Sequence, residues 1–303
     1  MKLSVVMSIY KEPVEWMRQS IDSILNQTFT DFEFVIVNDN PIRSENRDIL
    51  DEYSKKDFRI IVLSNDENIG LTKSLNKGLR ISKGKYIARM DADDISMPER
   101  FQKQIDFLDA NSNVGVLGTA VNYFGKKKGI FLYPEHQSDV FLFLNSCFAH
   151  PSIMGRSEII KKFSYDESFV VAQDYDLWER MYANGVVFAN LQEPLLQYRV
   201  SGIQISTSRL KQQLSSAAAI RKRALLNYLR KENIKDIKRI NSCKSIPYDI
   251  LKQLNYLLML VVTDISSYRL IQIVLLNQIP LSIANKLKLI YHKINNHKLV
   301  VIR

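Results

Sequence analysis

The order of apolar and polar positions in the first part of the chain predicts alternating strands and helices. Four apolar runs have strand length and are rich in β-branched or aromatic residues: Leu3–Ile9, Phe32–Val37, Ile60–Leu63 and Tyr86–Met90. Apolar residues at helical spacing lie between them: Val14, Met17, Ile21, Ile24 and Leu25, then Leu71, Leu75 and Leu79. This β-α-β-α-β order predicts an α/β fold with a Rossmann-like, mostly parallel sheet flanked by helices.

The composition changes close to residue 205. Residues 1–208 hold 24 Lys and Arg against 28 Asp and Glu, whereas residues 209–303 hold 18 against 4. The net charge of +10 therefore belongs to the last third of the chain, and all ten glycines lie at or before Gly202. We predict an α/β domain over residues 1–205 and a basic, helical C-terminal region over residues 206–303.

Bulk composition limits the class of protein. The chain has 303 residues, of which 46% are apolar and 24% charged, as in a soluble globular protein. Cys147 and Cys243 lie far apart without metal-type spacing, so we expect no disulfide and a reducing compartment. The most apolar segment, Leu254–Ile265, is interrupted by Asp264 and is shorter than the roughly 18 residues of a membrane-spanning helix. We expect no transmembrane segment.

Polar side chains gather where the predicted strands end. They are Ser8 and Tyr10 after the first strand, Asp39 after the second, and Asp91, Asp93 and Asp94 after the fourth. Ligands of parallel α/β sheets bind beyond the carboxyl ends of the strands, so these residues mark a candidate site. Three neighbouring carboxylates repel one another, and a folded protein keeps them together mainly around Mg²⁺ or Mn²⁺ shared with substrate phosphates. The alternative is a solvated acidic turn.

The usual phosphate-binding loops are missing from the sequence. Ser8-Ile-Tyr-Lys-Glu-Pro13 has no glycine where a dinucleotide fold requires them, and Gly78 to Tyr86 lacks the spacing of a P-loop. Phosphates are therefore expected to bind through a metal ion. Ser96-Met-Pro-Glu99 has the pattern of a capping box, which predicts a helix beginning directly after the acidic cluster.

Six short motifs, in this order, resemble the family 2 glycosyltransferases, which are inverting, nucleotide-sugar-dependent enzymes with a GT-A fold. The motifs are Ser4–Glu12, Ser20–Phe29, Phe32–Asp39, Asn68–Gly70 with Leu75-Asn76, Asp91–Asp94 and Gln173–Trp178. The resemblance covers about residues 3–200 and is nearest to bacterial capsule, exopolysaccharide and O-antigen transferases. It implies transfer of a sugar, most simply from a UDP-sugar, to a saccharide or lipid-linked saccharide acceptor.

The resemblance also implies roles for individual residues. The nucleotide-sugar would be bound by the residues Ser8, Tyr10, Glu12, Asp39, Asp91, Asp93 and Arg199. Asp93, with Asp91, would ligate Mn²⁺ or Mg²⁺, and Asp94 would orient its neighbours. Structural alternatives remain open: a solvent-facing Tyr10, an Asp39 that forms a turn with Asn40 and Pro41, and a strand-end salt bridge for Arg199.

Inversion by a single displacement requires one base for the acceptor hydroxyl. The resemblance assigns this role to Asp174, with Asp176 as the competing candidate and a helix N-cap as the structural alternative for Asp174. Gln173 stands where the family usually has glutamate. His150 lies where related transferases carry a histidine near the acceptor, although a single histidine more often has a structural role.

The basic C-terminal region has no catalytic motif. Its Lys/Arg-rich and apolar stretches fit either an anionic membrane surface, at the cytoplasmic face of a bacterial membrane, or a helical subdomain that packs on the sheet or forms a homodimer. No recognition motif supports nucleic-acid binding. A sugar-phosphate nucleotidyltransferase and a non-catalytic scaffold of a polysaccharide assembly complex remain alternative functions.

Overall fold

The computed structural model of the chain describes residues 1–136 and 146–201, together with single helical residues between 212 and 227. The chain divides into two units, and the first, residues 1–138 and 146–220, holds every element named below. The predicted domain boundary near residue 205 and the predicted basic region over residues 206–303 lie almost entirely outside the described residues, and both remain predictions.

The first half of the sheet is parallel, as predicted. Its strands are β1 (Leu3–Ile9), β2 (Phe32–Asn38), β3 (Ile60–Ser64) and β4 (Tyr86–Asp91), which lie in the order β3-β2-β1-β4. The helices between them are α1 (Val14–Leu25), α2 (Ser44–Lys56) and α3 (Leu71–Ile81). Every residue of β1 and β2 is buried, because helices cover both faces of a parallel sheet.

The second half of the sheet is mixed. Its strands are β5 (Ile95–Ser96), β6 (Val114–Gly125), β7 (Gly129–Phe131), β8 (Met154–Arg156) and β9 (Val187–Val200). The short strand β8 runs antiparallel to both β4 and β6, so β6 points in the same direction as β4. β9 pairs in parallel with β6, while β7 folds back on β6 as a hairpin. The predicted α/β class with a Rossmann-like sheet is confirmed, with antiparallel strands added on one side.

Three further helices flank this half: α4 (Arg100–Ala110), α5 (Ser157–Phe163) and α6 (Gln173–Ala183). The capping-box prediction for α4 was wrong, because the helix begins at Arg100 and Ser96 belongs to β5, where it pairs with Leu196. The side chain of Gln27, two residues after the end of α1, accepts a hydrogen bond from the Phe101 amide (3.1 Å) and so satisfies one amide in the first turn of α4.

The core lies on both faces of β1, β2 and β4. Met17, Ile21 and Ile24 of α1 are fully buried, as are Phe101 and Leu108 of the apolar stripe on α4. A second apolar cluster surrounds Trp178 of α6 and contains aromatic rings from β9 and from the segment before β8. In the part of the chain that the structure describes, no helix combines the length and apolar character needed to cross a bilayer.

Candidate active site

The strand register brings the predicted polar residues to one edge of the sheet. Ser8 of β1 lies beside Val37 of β2 on one side and beside Asp91 of β4 on the other. The three strands are parallel, so Tyr10, Asp39 and the acidic cluster all follow strand ends on that edge. This is the edge where ligands of such sheets bind.

The acidic cluster is compact. Carboxylate oxygens of Asp91, Asp93 and Asp94 all lie within 4.8 Å of one another. Burial and the charges of Asp91 and Glu12 raise the pKa of Asp93 to about 7. Burial and the neighbouring charges of Asp93 and Asp91 raise the pKa of Asp94 well above its usual value. Burial and like charges thus disfavour the ionised forms of these carboxyl groups, and a bound cation would reverse that effect.

Arg89 supplies a buried positive charge directly beneath the cluster. It is 2% exposed, lies on β4 and forms an ion pair with the Asp91 carboxylate. The Asp91 backbone carbonyl accepts a hydrogen bond from Ser20 on α1 (2.7 Å), which fixes the strand end. The sequence analysis did not identify Arg89, although a single charged residue inside the apolar run Tyr86–Met90 was a signal.

Arg199 braces the acidic cluster from β9. Its guanidinium donates to the Asp93 carbonyl (2.7 Å) and to Gln19 on α1 (2.7 Å), and it stacks on the ring of Trp16, 4.5 Å from the centroid. Its amide donates to one Asp94 oxygen (2.7 Å). The other oxygen of Asp94 is buried with no hydrogen-bond partner in the described part of the chain. The expected contact of Arg199 with a diphosphate stays a prediction.

Asp39 is buried and holds the loop that precedes α3. One carboxylate oxygen accepts hydrogen bonds from the Asn65 side chain and the Ile69 amide, and the other accepts from the Asn68 side chain and the Gly70 amide, at 2.8–3.1 Å. Gly70 has φ +86°, a conformation that favours glycine, and this turns its amide towards Asp39. All four acceptor positions are thus filled by the protein itself. The expected contact between Asp39 and a nucleotide stays a prediction.

Tyr10 and Glu12 form the rim next to β1. Tyr10 is 39% exposed, and its amide donates to the Glu12 carboxylate (2.7 Å). Burial raises the pKa of Glu12, and Asp91 adds to the effect. Ser8, the penultimate residue of β1, is almost completely buried. Tyr10 is therefore accessible at the site edge, with Lys11 over its ring at 5.7 Å from the centroid, and stacking on a flat ligand would require such an exposed ring.

Asp174 lies in the first turn of α6, one residue after Gln173. The N-cap of this helix is Ala172, so the N-cap alternative for Asp174 is not what the structure shows. Burial raises the pKa of Asp174, and the charge of Asp91 contributes, which links this carboxylate to the acidic cluster. Asp176, the competing candidate, is fully buried and accepts a hydrogen bond from Arg180 (2.8 Å). Asp174 is half-buried whereas Asp176 is fully buried, so Asp174 is the more accessible of the two carboxylates.

A further pair lies close to these groups. The ring nitrogen Nε2 of His150 is 2.7 Å from the Tyr165 hydroxyl, and both side chains are buried. Burial lowers the pKa of His150 well below its usual value, so the imidazole is neutral. Asn76 on α3, a motif residue without an assigned role in the sequence analysis, holds the Tyr165 backbone through hydrogen bonds to its amide and its carbonyl.

The donor set of the acidic cluster suits a hard divalent cation. Mg²⁺ and Mn²⁺ take carboxylate oxygens as ligands, and the cluster offers three carboxylates at close range. The unpartnered Asp94 oxygen and the raised pKa of Asp93 both indicate that the described residues stabilise the ionised carboxylates poorly, which is what a site completed by a cation would show.

Residues 4–171 match the family model described as Glycosyl transferase family 2. The glycosyltransferase MJ1057 of Methanocaldococcus jannaschii, itself uncharacterized, is 41% identical over 218 residues, covering 70% of this chain and 75% of the relative. The O-antigen biosynthesis glycosyltransferase WbnJ of Escherichia coli is 32% identical over 240 residues, covering 75% and 92%.

A third relative is the Escherichia coli UDP-Gal:alpha-D-GlcNAc-diphosphoundecaprenol beta-1,3-galactosyltransferase, which is 30% identical over 231 residues and covers 70% of this chain and 82% of its own. The crystal structure of S. aureus TarS 1–349 in complex with UDP-GlcNAc has a TM-score of 0.61 at 18% identity, covering 73% of this chain and 66% of that chain. At this identity the likeness shows the fold, and the predicted GT-A architecture is confirmed. Because the family model spans more than half of the sequence, the chain belongs to glycosyl transferase family 2.

Proposed function

We propose that this glycosyltransferase moves a sugar from a UDP-sugar, with inversion, to a saccharide or lipid-linked saccharide in the synthesis of a surface polysaccharide. The observation that carries the proposal is the acidic cluster, in which three carboxylates lie within 4.8 Å of one another at the ligand-binding edge of the sheet. The expected action at the cytoplasmic face of the membrane belongs to the same proposal.

Each group has a separate task in the proposed reaction. Asp93 and Asp91 would hold Mn²⁺ or Mg²⁺, which supplies positive charge for the diphosphate when it is bound. Arg89 keeps the Asp91 carboxylate in place through its ion pair, and Arg199 donates hydrogen bonds to the Asp93 backbone carbonyl and to the Asp94 carboxylate. Tyr10 offers a face on which a nucleobase can stack.

Asp174 would act as the base. The acceptor hydroxyl oxygen attacks the anomeric carbon, the bond from that carbon to the diphosphate breaks with its electron pair leaving on UDP, and the hydroxyl proton passes to the Asp174 carboxylate. Burial raises the pKa of Asp174, which makes it a stronger base than a free aspartate. One displacement on the face opposite the leaving group gives inversion.

The names of the relatives support the choice of donor and acceptor. One relative is named for UDP-galactose and for an acceptor linked to diphosphoundecaprenol, and another for O-antigen biosynthesis. The structural neighbour of similar fold was solved with UDP-GlcNAc. The galactosyltransferase and the structural neighbour both point to a UDP-linked donor. The assay must identify the sugar that this chain transfers.

The test is calorimetric titration of UDP into the full chain, with and without Mn²⁺, for the wild type, Asp93→Ala and Asp174→Asn. We expect Mn²⁺-dependent UDP binding that Asp93→Ala lowers by about 100-fold or more, the effect of losing a ligand of the metal. Asp174→Asn is the matched control, because it removes one carboxylate charge without touching the donor groups and should keep UDP binding.

With a UDP-sugar donor and a saccharide acceptor, Asp174→Asn should lose turnover by about 100-fold or more, since a positioned base contributes about that factor. Product analysis should show free UDP and no pyrophosphate, which separates this reaction from nucleotidyl transfer. The proposal is overturned if the wild type binds no UDP with any divalent metal, or if Asp174→Asn turns over as fast as the wild type.

A further inference from the structure

A lysine-rich hairpin projects from the candidate active site towards solvent. We define it as the tip hairpin, residues 121–133, made of the end of β6, a turn, β7 and the two residues that follow β7. Three consecutive lysines, Lys126–Lys128, form the turn, and all three are exposed. No Asp or Glu occurs between Val114 and Pro134, so the hairpin has no acidic residue of its own to neutralise these charges.

The register of the sheet fixes the direction and height of the tip hairpin. Ala88 of β4 and Leu117 of β6 both lie opposite Met154 of β8, and β4 and β6 run the same way. Asp91 is therefore level with Ala120, and Gly125 lies five residues further along β6. At about 3.3 Å per residue, the turn stands about 16 Å beyond the level of the acidic cluster, on the same edge of the sheet.

The tip hairpin is stiffened on its inner face. The Tyr123 ring packs edge-on against Tyr198 of β9 and also contacts Phe131, which packs against Tyr133. The Lys126 amide donates to the Val200 carbonyl (2.9 Å), so the turn is tied to the end of β9. Positive φ at Gly125 (+89°) allows the tight reversal there. This is an ordered projection whose position is set by the sheet.

The outer face of the tip hairpin is apolar. Ile130 is 61% exposed and Leu132 is 56% exposed, and their spacing of two residues places both side chains on the face opposite Phe131 and Tyr133. Lys126–Lys128 form no ion pair with any residue that the structure describes, although Lys127 lies over the Tyr123 ring, 4.3 Å from its centroid. Together with the two exposed aliphatic side chains they form a surface with both an apolar and a cationic part. Single exposed apolar residues need no explanation, but this combination on a projecting tip does.

We propose that the tip hairpin binds an anionic phospholipid bilayer and turns the active-site edge of the sheet towards it. Lysines near an anionic leaflet are attracted to the lipid phosphates, and the aliphatic side chains enter the boundary between headgroups and acyl chains. A second copy of the hairpin fits less well, because its own three lysines would meet these three. The contact itself is independent of the function proposed above. Its use, to face a lipid-linked acceptor, rests on that function.

The test is co-sedimentation of the full chain with vesicles of phosphatidylcholine alone and of phosphatidylcholine mixed with phosphatidylglycerol. One variant removes the hairpin charges (Lys126→Gln, Lys127→Gln, Lys128→Gln). The control variant removes the same number of charges from exposed lysines that precede β3 and β4, at the opposite edge of the sheet (Lys55→Gln, Lys56→Gln, Lys83→Gln); of these, Lys56 forms an ion pair with Glu52. Residues 209–303 also carry 18 Lys and Arg, so the comparison of the two charge-matched variants, and not binding alone, identifies the hairpin.

We expect binding to the phosphatidylglycerol vesicles that the hairpin variant weakens by at least about tenfold more than the control variant at physiological salt. Ile130→Ser with Leu132→Ser should weaken it as well, and this loss should persist at high salt because it removes apolar contact. Equal partition of the two lysine variants would overturn the proposal, and so would a wild type that ignores anionic vesicles. If the wild type and the control variant form a dimer and the hairpin variant is monomeric, the tip hairpin contacts a second copy of the chain instead of a membrane.

Vesicle binding requires no donor, so this test keeps its meaning if the wild type binds no UDP. Circular dichroism melting of each variant checks the fold, which surface lysines should leave unchanged.

Discussion

At the scale of single residues, Arg89 supplies the buried positive charge that partly offsets the negative charge of the acidic cluster. It is almost completely buried, and its guanidinium pairs with the Asp91 carboxylate, while its Nε has no hydrogen-bond partner in the described residues. Burying a cation in this way is costly unless a nearby negative charge compensates it. Here the compensation is mutual, because Arg89 also offsets the repulsion among the three carboxylates.

Arg89→Met is therefore predicted to destabilise the protein in the absence of metal. The substitution removes the buried partner of Asp91 and leaves that charge to its like-charged neighbours, at a cost of about 2–4 kcal/mol in the free energy of unfolding. Urea unfolding in EDTA measures the loss. In a double-mutant cycle, Asp91→Asn should cost little in the Arg89→Met background, because the pair is already broken.

Arg156→Met provides the comparison for this experiment. Arg156 is a partly buried arginine that donates hydrogen bonds to three backbone carbonyls, of Val114, Leu108 and Asn111, and it pairs with no residue of the acidic cluster in the described structure. The free energies of unfolding lost in Arg156→Met and in Asp91→Asn should therefore add in the double variant. If the stability losses of Arg89→Met and Asp91→Asn also added in full, the ion pair would contribute nothing, and the role of Arg89 would be packing alone.

At the scale of elements, α3 positions the loop that leads into α6. Asn76 of α3 accepts a hydrogen bond from the Tyr165 amide (3.0 Å) and donates to the Tyr165 carbonyl (2.9 Å). Thr72, one turn earlier, donates to the Phe169 carbonyl (2.8 Å). The loop ends at Ala172, which has φ +56°, and α6 with Asp174 follows immediately. The position of the proposed base thus depends on α3, a helix about a hundred residues earlier in the sequence.

Asn76→Ala is predicted to lower turnover while leaving UDP affinity unchanged. The variant leaves the buried amide and carbonyl of Tyr165 without partners, at about 1–3 kcal/mol each, so the loop and Asp174 shift. The donor groups lie on other strand ends and keep their places. Steady-state kinetics with a UDP-sugar, together with UDP titration, separates the two effects, and we expect kcat to fall about tenfold or more, as small misplacements of a catalytic group do.

Ser82→Ala is the control for that prediction. Ser82, at the end of the same helix, donates a buried hydrogen bond to the Gly78 carbonyl and does not hold the loop. It should cost some stability and no turnover. A parallel loss of UDP affinity in Asn76→Ala would instead show that the loop supports the donor site.

The elements that could be predicted from the sequence are those whose signal is local. β1, β2, β3 and β4 have nearly the predicted bounds, because each is an apolar run enclosed between breaks in the pattern. α2 was not predicted, because only four of its 13 side chains are buried and the segment therefore shows no clear apolar stripe in the sequence. The pairing of β5 with β9 joins residues about a hundred positions apart, and no local pattern in one sequence indicates such a contact.

The candidate site was predictable to a similar extent. The edge on which Ser8, Asp39 and Asp91 meet followed from parallel strands alone. Asp39, in contrast, is enclosed by Asn65 and Asn68 from the loop after β3. That enclosure depends on the path of the loop and on a positive φ at Gly70, which the sequence permits without specifying.

At the scale of the whole molecule, the acidic cluster opposes folding. Two ionised carboxylates 4.8 Å apart repel by about 3.5 kcal/mol at an effective dielectric constant near 20, before screening by salt. The rest of the domain must offset this cost with its apolar core. A cation that binds only the folded state would recover the loss, since binding to the native state stabilises it by mass action. Stability and donor binding should therefore respond in opposite directions to the loss of one carboxylate.

Asp93→Asn should consequently raise the melting temperature in EDTA at pH 8, by about 2–4 °C for each kcal/mol of repulsion relieved, while removing the stabilisation that Mn²⁺ with UDP gives the wild type. Calorimetric melting with and without Mn²⁺ and UDP measures both effects. Asp109→Asn makes the same chemical change where Lys2 and Lys85 hold the pKa of the carboxyl below its usual range, so it should not stabilise. An Asp93→Asn protein that melts below the wild type in EDTA would mean that Asp93 supports the fold directly, and the cluster would then carry no stored repulsion for a metal ion to relieve.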